Sequence, residues 1–298
     1  MKLTISALLI LASLFMAAEA KINVVTSTSD LKSIAEFIGG EQISVKSIAT
    51  GKANPHFVEV LPSYMVMISR ADIYFRIGLG LDFWALPIID GSRNGNLKLF
   101  DCSKGINVLE KPSGKVDASM GDVHPEGNPH YWLDPSNAAI IADNIADGLS
   151  QVDPANSSIY KANLKKFKGE LAVKMSEWQQ RAASIKGLKI VTFHNSWPYF
   201  AEAFGFDVVG FVEPKPGIEP TPSHTAEIIE LVKNSGVKII AKEPYFSNRS
   251  PNVIAKATGV EVIDLPPSVG GAEGANDYFS LIDTILNRLL ATKGNQNP

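Results

Sequence analysis

Strand-like runs alternate with helix-like segments over almost the whole of this chain. The first is an apolar run at residues 22–25, followed by a helix that begins at Ser29-Asp30 and stops at Gly39-Gly40, and then by an apolar run at residues 43–45. Strands that alternate with helices of this length form mainly parallel sheets with helices on both faces. The sequence therefore predicts an α/β fold.

The second half of the chain repeats this pattern after a long helical segment. Strand-like runs lie at residues 188–193, 208–212, 237–241 and 260–265. Residues 156–185 contain no proline and only one glycine, Gly169, which is typical of a long, stiff helix. We predict two lobes, each with a mainly parallel sheet flanked by helices, joined by this one rigid helix. The expected boundaries are 21–153 for the N-terminal lobe, 154–186 for the linking helix and 187–298 for the C-terminal lobe.

Residues 1–20 have the features of a secretory signal peptide. Lys2 is followed by an apolar stretch at residues 3–16 and by the small-residue site Ala18-Glu19-Ala20. The stretch is short for a membrane span, so a cleaved signal is favoured over a retained membrane anchor. No cysteine follows the apolar stretch, so no lipid anchor is visible. We expect a periplasmic protein.

Charge and cysteine content argue against several kinds of partner and of metal site. The net charge is −3 and no basic stripe is present, which argues against nucleic acid as a partner. Cys102 is the single cysteine, so an intramolecular disulfide and a cysteine-based metal site are both excluded. The sequence contains no heptad pattern long enough for a coiled coil, and a monomer is expected.

Three of the five histidines lie in short, stiff sequence contexts. His56 is in Asn-Pro-His-Phe-Val-Glu, His130 in Asn-Pro-His-Tyr-Trp-Leu-Asp-Pro and His194 in Val-Thr-Phe-His-Asn-Ser-Trp. Neutral imidazole is a common ligand of zinc, and sets of three are recurrent. His194 and Glu243 directly follow strands, at the edge of a parallel sheet where ligands bind. The three histidines therefore predict a metal site in the cleft between the lobes.

The other two histidines are expected outside this site. His124 lies in a loop at residues 111–128 that is rich in Pro, Gly, Ser and Asp, and we expect it to be exposed to solvent. His224 is in the first turn of a helix predicted to be capped by Ser223, where a surface position is expected.

Taken together, these segments resemble the ZnuA/TroA-like family of metal-binding receptors of ABC importers for zinc and manganese. The resemblance covers the signal peptide, the two Asn-Pro-His segments, the long helix, Thr-Phe-His-Asn-Ser-Trp-Pro-Tyr-Phe and Glu-Pro-Tyr-Phe. It implies that His56, His130 and His194 are metal ligands. It also implies delivery of the ion to an ABC permease in the inner membrane.

The chain departs from this family pattern at the fourth ligand. The family often has an aspartate after its last strand, at the position where this chain has Pro266. Proline cannot coordinate through its side chain. Glu243 is a possible fourth ligand or a residue that orients an imidazole, and Asp264, Glu59 and water are other candidates.

Three functions are compatible with these features. The first is capture of a divalent ion, with zinc favoured by three imidazoles and manganese possible. The second is a secreted zinc hydrolase, since three histidines and an open position could activate water, although the His-Glu-x-x-His motif is absent. The third, a receptor for a chelated metal or another solute, shares the fold but leaves the three histidines unexplained.

Overall fold

A computed structural model of the chain describes residues 21–114, 120–121 and 124–294. The expected signal peptide at residues 1–20 therefore lies outside the described residues. The N-terminal lobe contains four strands and three helices within residues 22–101. They are β1 (Ile22–Thr26), α1 (Ser29–Gly39), β2 (Ile43–Ser47), α2 (Pro62–Ser69), β3 (Ile73–Arg76), α3 (Ala85–Ser92) and β4 (Lys98–Asp101).

The four strands form one parallel sheet in the order β2-β1-β3-β4. Strand β1 lies between its two neighbours, and Val24, Val25 and Ile73 at the centre of the sheet are buried. Because all strands run in the same direction, the loops that follow them emerge at one edge of the sheet. The loop that carries His56 follows β2 at this edge.

Two long helices connect this lobe to the next. Helix α4 (Pro135–Val152) is followed by α5 (Ser157–Ala182), which has 26 residues and is therefore about 39 Å long. Short 3-10 turns at Pro154–Asn156 and Ala183–Ile185 extend α5 at both ends. Tyr160, Phe167 and Trp178 on α5 are fully or almost fully buried, so this helix packs against the protein along most of its length.

The C-terminal lobe repeats the architecture with a second parallel sheet in the order β6-β5-β7-β8. Its elements are β5 (Lys189–Thr192), α6 (Pro198–Phe204), β6 (Asp207–Phe211), α7 (Pro222–Ser235), β7 (Ile239–Lys242), α8 (Arg249–Thr258), β8 (Glu261–Asp264) and α9 (Tyr278–Gly294). The α/β fold class and the two-lobed arrangement around a long helix are confirmed.

The lobes share a hydrophobic core beneath the cleft. A single buried cluster contains residues of both sheets, among them Phe75 of β3, Trp132, Trp197 and Ile239 of β7. The indole Nε1 of Trp132 donates to the carbonyl of Pro267 at 2.8 Å, and the Tyr278 hydroxyl donates to the carbonyl of Trp132 at 2.6 Å. These contacts fix the loop after β8 to the N-terminal lobe.

Several local expectations differ from the structure. Thr221, not Ser223, caps α7, because its side chain accepts a hydrogen bond from the backbone nitrogen of His224. Helices α3 and α8 were not predicted from the sequence. The boundaries at 153/154 and 186/187 stay a prediction. Helix α9, at the C-terminal end, packs back on α5, where Asp283 accepts a hydrogen bond from the indole of Trp178. None of the described helices combines the length and apolarity of a membrane span.

Candidate metal site

His56 is held by the conformation of its own Asn-Pro-His segment. The side-chain oxygen of Asn54 accepts a hydrogen bond from the backbone nitrogen of His56 at 3.0 Å, which closes a tight turn over Pro55. The indole of Trp84 donates to the carbonyl of Pro55 at 2.9 Å. The loop is therefore held by its own Asn54 side chain and by the indole of Trp84.

His130 is held in the same way, with one further contact. Asn128 Oδ1 accepts from the backbone nitrogen of His130 at 3.0 Å and contacts its ring Nδ1 at 2.9 Å. The amide of Asn128 donates to Glu110 Oε2 and to the carbonyl of Asn195, each at 2.9 Å, which fixes the orientation of the amide. Because Oδ1 can only accept, Nδ1 of His130 carries a proton and its Nε2 lone pair is available for a metal.

His194 is positioned by the end of a buried strand. It lies two residues after β5, and the hydroxyl of Thr192 donates to its carbonyl at 2.9 Å. Its Nδ1 contacts Oε1 of Glu213, a carboxylate that is only 5% exposed. Glu213 Oε2 also accepts from the backbone nitrogen of Gly217 at 3.1 Å. The acceptor on Nδ1 again leaves Nε2 of the imidazole for a metal.

The three imidazoles converge on one point between the lobes. Nε2 of His56 lies 3.0 Å from Nε2 of His130, and one ring nitrogen from each of His56, His130 and His194 lies within 4.8 Å of the others. A tetrahedral zinc site with bonds of about 2.0–2.1 Å requires nitrogens about 3.4 Å apart. Within the described part of the chain, these three side chains are the group of possible ligands whose atoms all lie within 4.8 Å of one another, a range that includes this separation.

Burial favours the neutral form of His130. The three histidines are between 3% and 9% exposed. Burial lowers the pKa of His130 well below its ordinary value, and the neighbouring imidazoles of His56 and His194 add to this effect. His130 is therefore uncharged at neutral pH, which is the form that coordinates a metal.

A cavity of about 280 Å³ opens beside the imidazoles. Its walls come from both lobes and include Glu110, His124, Asn195 and Pro216. Glu110 accepts at Oε2 from the amides of both Asn128 and Asn195, at 2.9 and 2.8 Å, and so connects the two walls. The arrangement can hold one small cation between the three imidazoles, and the cavity borders two of them, His130 and His194.

The expectation that His124 is exposed to solvent was wrong. His124 is partly buried, lines the cavity and has its Nε2 3.2 Å from Nδ1 of His56. A loop composition rich in Pro, Gly and Ser indicates irregular structure but does not indicate which side chains turn inward. No α-helix or strand is present in the described residues of this loop, 111–114, 120–121 and 124–128.

The candidates for a fourth ligand are in different environments. Glu243 follows β7 and is fully buried, and its Oε1 accepts from Ser196 Oγ at 2.7 Å and from the Trp197 indole at 3.1 Å. Burial raises the pKa of its carboxyl. Asp264 pairs with the buried Lys242 at 2.5 Å, and Glu59 is exposed. Residue 266 is proline, as the sequence indicated.

His224 and Cys102 have structural environments. His224 contacts Glu227 through Nδ1 at 3.2 Å and the carbonyl of Phe211 through Nε2 at 3.1 Å, near the surface at the start of α7. Cys102 is buried directly after β4, and burial raises the pKa of its thiol well above the ordinary value.

Glu213 was missed by the reasoning from sequence. It lies two residues beyond β6, and β6 is the neighbour of β5 in the sheet. The same edge that carries His194 therefore carries Glu213. An acidic residue after the strand paired with β5 was the available signal, but the order of the strands had to be known first.

Comparisons with known proteins give the family of the chain. The chain matches the family described as zinc-uptake complex component A, periplasmic (ZnuA), over residues 24–292. It is 28% identical over 278 residues to the manganese-binding lipoprotein MntA of Halalkalibacterium halodurans, covering 90% of this chain and 88% of MntA. It is 27% identical to the manganese ABC transporter substrate-binding lipoprotein PsaA of Streptococcus pneumoniae, covering 90% of this chain and 88% of PsaA.

Solved structures show the same fold. A crystal structure of ZnuA superposes with a TM-score of 0.77 at 29% identity, covering 91% of this chain and 100% of that one. A zinc-bound ZnuA deletion mutant gives a TM-score of 0.77 at 28% identity, covering 91% of this chain and 97% of that one.

The fold, the cleft and these matches define the class of the protein as a substrate-binding receptor of an ABC metal importer, and not an enzyme. Within that class, the chain belongs to the ZnuA family. The family implies a metal ion as cargo and a membrane permease as partner. The family match gives no support to the alternative of a secreted zinc hydrolase.

Proposed function

We propose that this protein captures one zinc ion with His56, His130 and His194 and delivers it to the permease of an ABC importer. The observation that carries the proposal is the convergence of three ring nitrogens within 4.8 Å of one another. Two of these histidines come from the N-terminal lobe and one from the C-terminal lobe. Binding of the ion therefore joins the two walls of the cleft.

The contacts behind the ligands support this role. Asn128 and Glu213 occupy the Nδ1 positions of His130 and His194. Outer partners of this kind fix the tautomer and the orientation of a metal-binding imidazole.

The ligand set favours zinc over manganese. Imidazole nitrogen suits zinc, whereas manganese prefers carboxylate and water oxygen. The relatives MntA and PsaA are named for manganese, so the family includes receptors for both ions. In this chain the group of convergent ligands among the described residues contains histidines alone. We therefore propose zinc as the physiological cargo, with manganese as the competitor to be measured.

Water from the adjacent cavity is our proposal for the fourth ligand. The 280 Å³ cavity borders His130 and His194. The carboxylate of Glu243 is the protein alternative. Its Oε1 already accepts from Ser196 and Trp197, whereas its buried Oε2 has no hydrogen-bond partner. A water ligand would also be displaced easily when the ion is passed to the permease.

We propose that the mature protein acts as a monomer in the periplasm. The family description is periplasmic, and several relatives are named lipoproteins. Cell fractionation separates a free receptor, expected in the soluble periplasmic extract, from a lipid-anchored one, which would stay with the membranes. Gel filtration with light scattering measures the oligomeric state, and a dimer would contradict the proposal.

The proposed cargo is tested by titrating metal-free protein with zinc and with manganese against a chelating dye. We expect one zinc per chain, bound at least about 100-fold more tightly than manganese, in line with the preference of imidazole. His224→Ala is a matched control, since His224 contacts Glu227 and Phe211 and is not one of the three converging histidines. Tighter binding of manganese than of zinc would contradict the assignment of the cargo.

A further inference from the structure

The outer nitrogen of His56 faces a histidine from another loop. His124 Nε2 lies 3.2 Å from His56 Nδ1, and the two ring centroids are 5.1 Å apart. The opposite nitrogen of His56, Nε2, is the one that meets His130 at 3.0 Å. The His56 ring thus lies between the convergent site on one side and His124 on the other.

His124 itself lies one ring further out than the ligands. The group of ring nitrogens within 4.8 Å of one another comes from His56, His130 and His194. His124 therefore occupies the position relative to His56 that Asn128 occupies relative to His130 and Glu213 relative to His194. Each of the three imidazoles has a polar group against its Nδ1.

The backbone around His124 holds its ring in this place. The carbonyl of His124 accepts from the backbone nitrogen of Gly127 at 3.1 Å, which forms a turn. Gly80, with φ of 83°, lies so close that a Cβ there would be 3.2 Å from His124 Nδ1. Glycine tolerates this backbone conformation and leaves room for the imidazole.

The same loop also reaches the opposite lobe. A Cβ at Gly121 would be 2.4 Å from the carbonyl oxygen of Pro216, so this backbone packs directly against the C-terminal lobe. Pro216 and His124 both line the cavity beside the imidazoles. The position of His124 is therefore supported from both lobes.

We propose that His124 is a positioning residue for His56. Its neutral ring accepts the Nδ1 proton of His56, which keeps the Nε2 lone pair of His56 directed at the bound ion. His124 does not itself coordinate the ion. This role rests on the proposed function, because a positioning residue has a purpose only if His56 is a ligand.

The affinity test compares wild-type protein with His124→Ala, His124→Gln and the control His224→Ala. Loss of an outer partner costs about 10- to 100-fold in metal affinity. We expect a loss in that range for His124→Ala and recovery of most of it in His124→Gln, whose side-chain oxygen can accept the same proton. Zinc affinity of His124→Ala equal to that of wild type would overturn the proposal.

A second measurement separates positioning from coordination and from a general loss of structure. X-ray absorption at the zinc edge should count three imidazoles in both wild-type and His124→Ala protein. A decrease from four to three would make His124 a ligand and overturn the proposal. The thermal midpoint of the metal-free variant should equal that of wild type; a lower midpoint with no recovery in His124→Gln would show a structural role instead.

Failure of this inference is distinguishable from failure of the proposed function. If wild-type protein binds one zinc and His124→Ala binds it equally well, only the role of His124 is wrong. If neither wild type nor the His224→Ala control binds zinc, the proposed cargo is wrong and the role of His124 falls with it.

Discussion

The two walls of the cleft position their histidines by different means. In the N-terminal lobe, His56 and His130 each follow an Asn-Pro pair, and each asparagine accepts from the backbone nitrogen of its histidine at 3.0 Å. In the C-terminal lobe, His194 follows a buried strand and is held by the carboxylate of Glu213. One wall uses local turns and neutral amides, and the other uses the sheet and a buried charge.

The first wall is positioned largely by contacts within short segments of sequence, and the second by contacts between distant segments. An Asn-Pro-His turn forms from three consecutive residues, so the asparagine that holds the histidine backbone comes with it, although the ring of His56 also meets His124 from another loop. The partner of His194 lies 19 residues away in sequence and reaches it only when β6 pairs with β5. We therefore expect the first wall to depend on single side chains and the second to depend on charge.

Removal of a ligand from either wall should have the largest effect. His130→Ala and His194→Ala each lose one of three imidazoles, and we expect zinc affinity to fall by at least about 100-fold in both. Competition with a chelating dye measures this, with His224→Ala as the control. A loss confined to one of the two variants would show that a single wall carries the site.

The stability that Asp30 contributes where it joins the two lobes behind the site should depend on pH. Asp30 accepts from the backbone nitrogen of Val269 at 2.9 Å, and burial raises its pKa from 3.8 to about 7. Between these values the folded state retains a proton that the unfolded state has released, so the free energy of unfolding falls as the pH rises. We expect a decrease of about 2–3 kcal/mol between pH 5 and pH 8 from this group.

Asp30→Asn tests this dependence in metal-free protein. The amide oxygen can still accept from Val269, but the residue no longer titrates. Urea unfolding at pH 5 and pH 8 should show a smaller decrease in the variant than in wild type. Asp90→Asn, at an exposed position, is the matched control. Equal pH dependence in wild type and Asp30→Asn would mean that the raised pKa is wrong.

Neutralising the charged partner should have an intermediate effect on binding. Glu213→Gln keeps an acceptor near Nδ1 of His194 but removes the charge, and we expect zinc affinity to fall by about tenfold. Glu219→Gln changes an exposed acid in the same segment and should have no effect. If Glu213→Gln binds zinc as well as wild type does, the charge is not what distinguishes the second wall.

Movement of the walls on binding should be the smallest effect. Helix α5 is continuous over 26 residues, and the lobes share one buried cluster, so opening would break packed contacts. For a compact chain with a radius of gyration of about 19 Å, we expect zinc to change that radius by less than about 0.5 Å. Solution scattering with and without zinc measures it. A larger decrease would indicate hinge closure of the kind seen in other two-lobed receptors.

Much of the first wall could be predicted from sequence because its determinants are local. The strand runs, the long helix and the Asn-Pro-His segments are patterns within a few residues of one another. His194 was placed correctly at a strand end, since the edge of a parallel sheet is a general ligand position.

Two of the three outer partners, His124 and Glu213, could not be predicted because they depend on packing between distant segments. His124 looked like a loop residue until the structure placed it against His56. Glu243 was considered as a partner for an imidazole, whereas the carboxylate seen on Nδ1 of His194 is that of Glu213. Strand order decides which acid faces a given histidine, and the local pattern does not contain it.

Anomalous diffraction at the zinc edge from crystals of the zinc-loaded protein tests the central claim most directly. We expect one peak per chain in the cleft, about 2.0–2.1 Å from a ring nitrogen of each of His56, His130 and His194. A peak bound to only one lobe, or a zinc ion outside the cleft with the three imidazoles unligated, would contradict it.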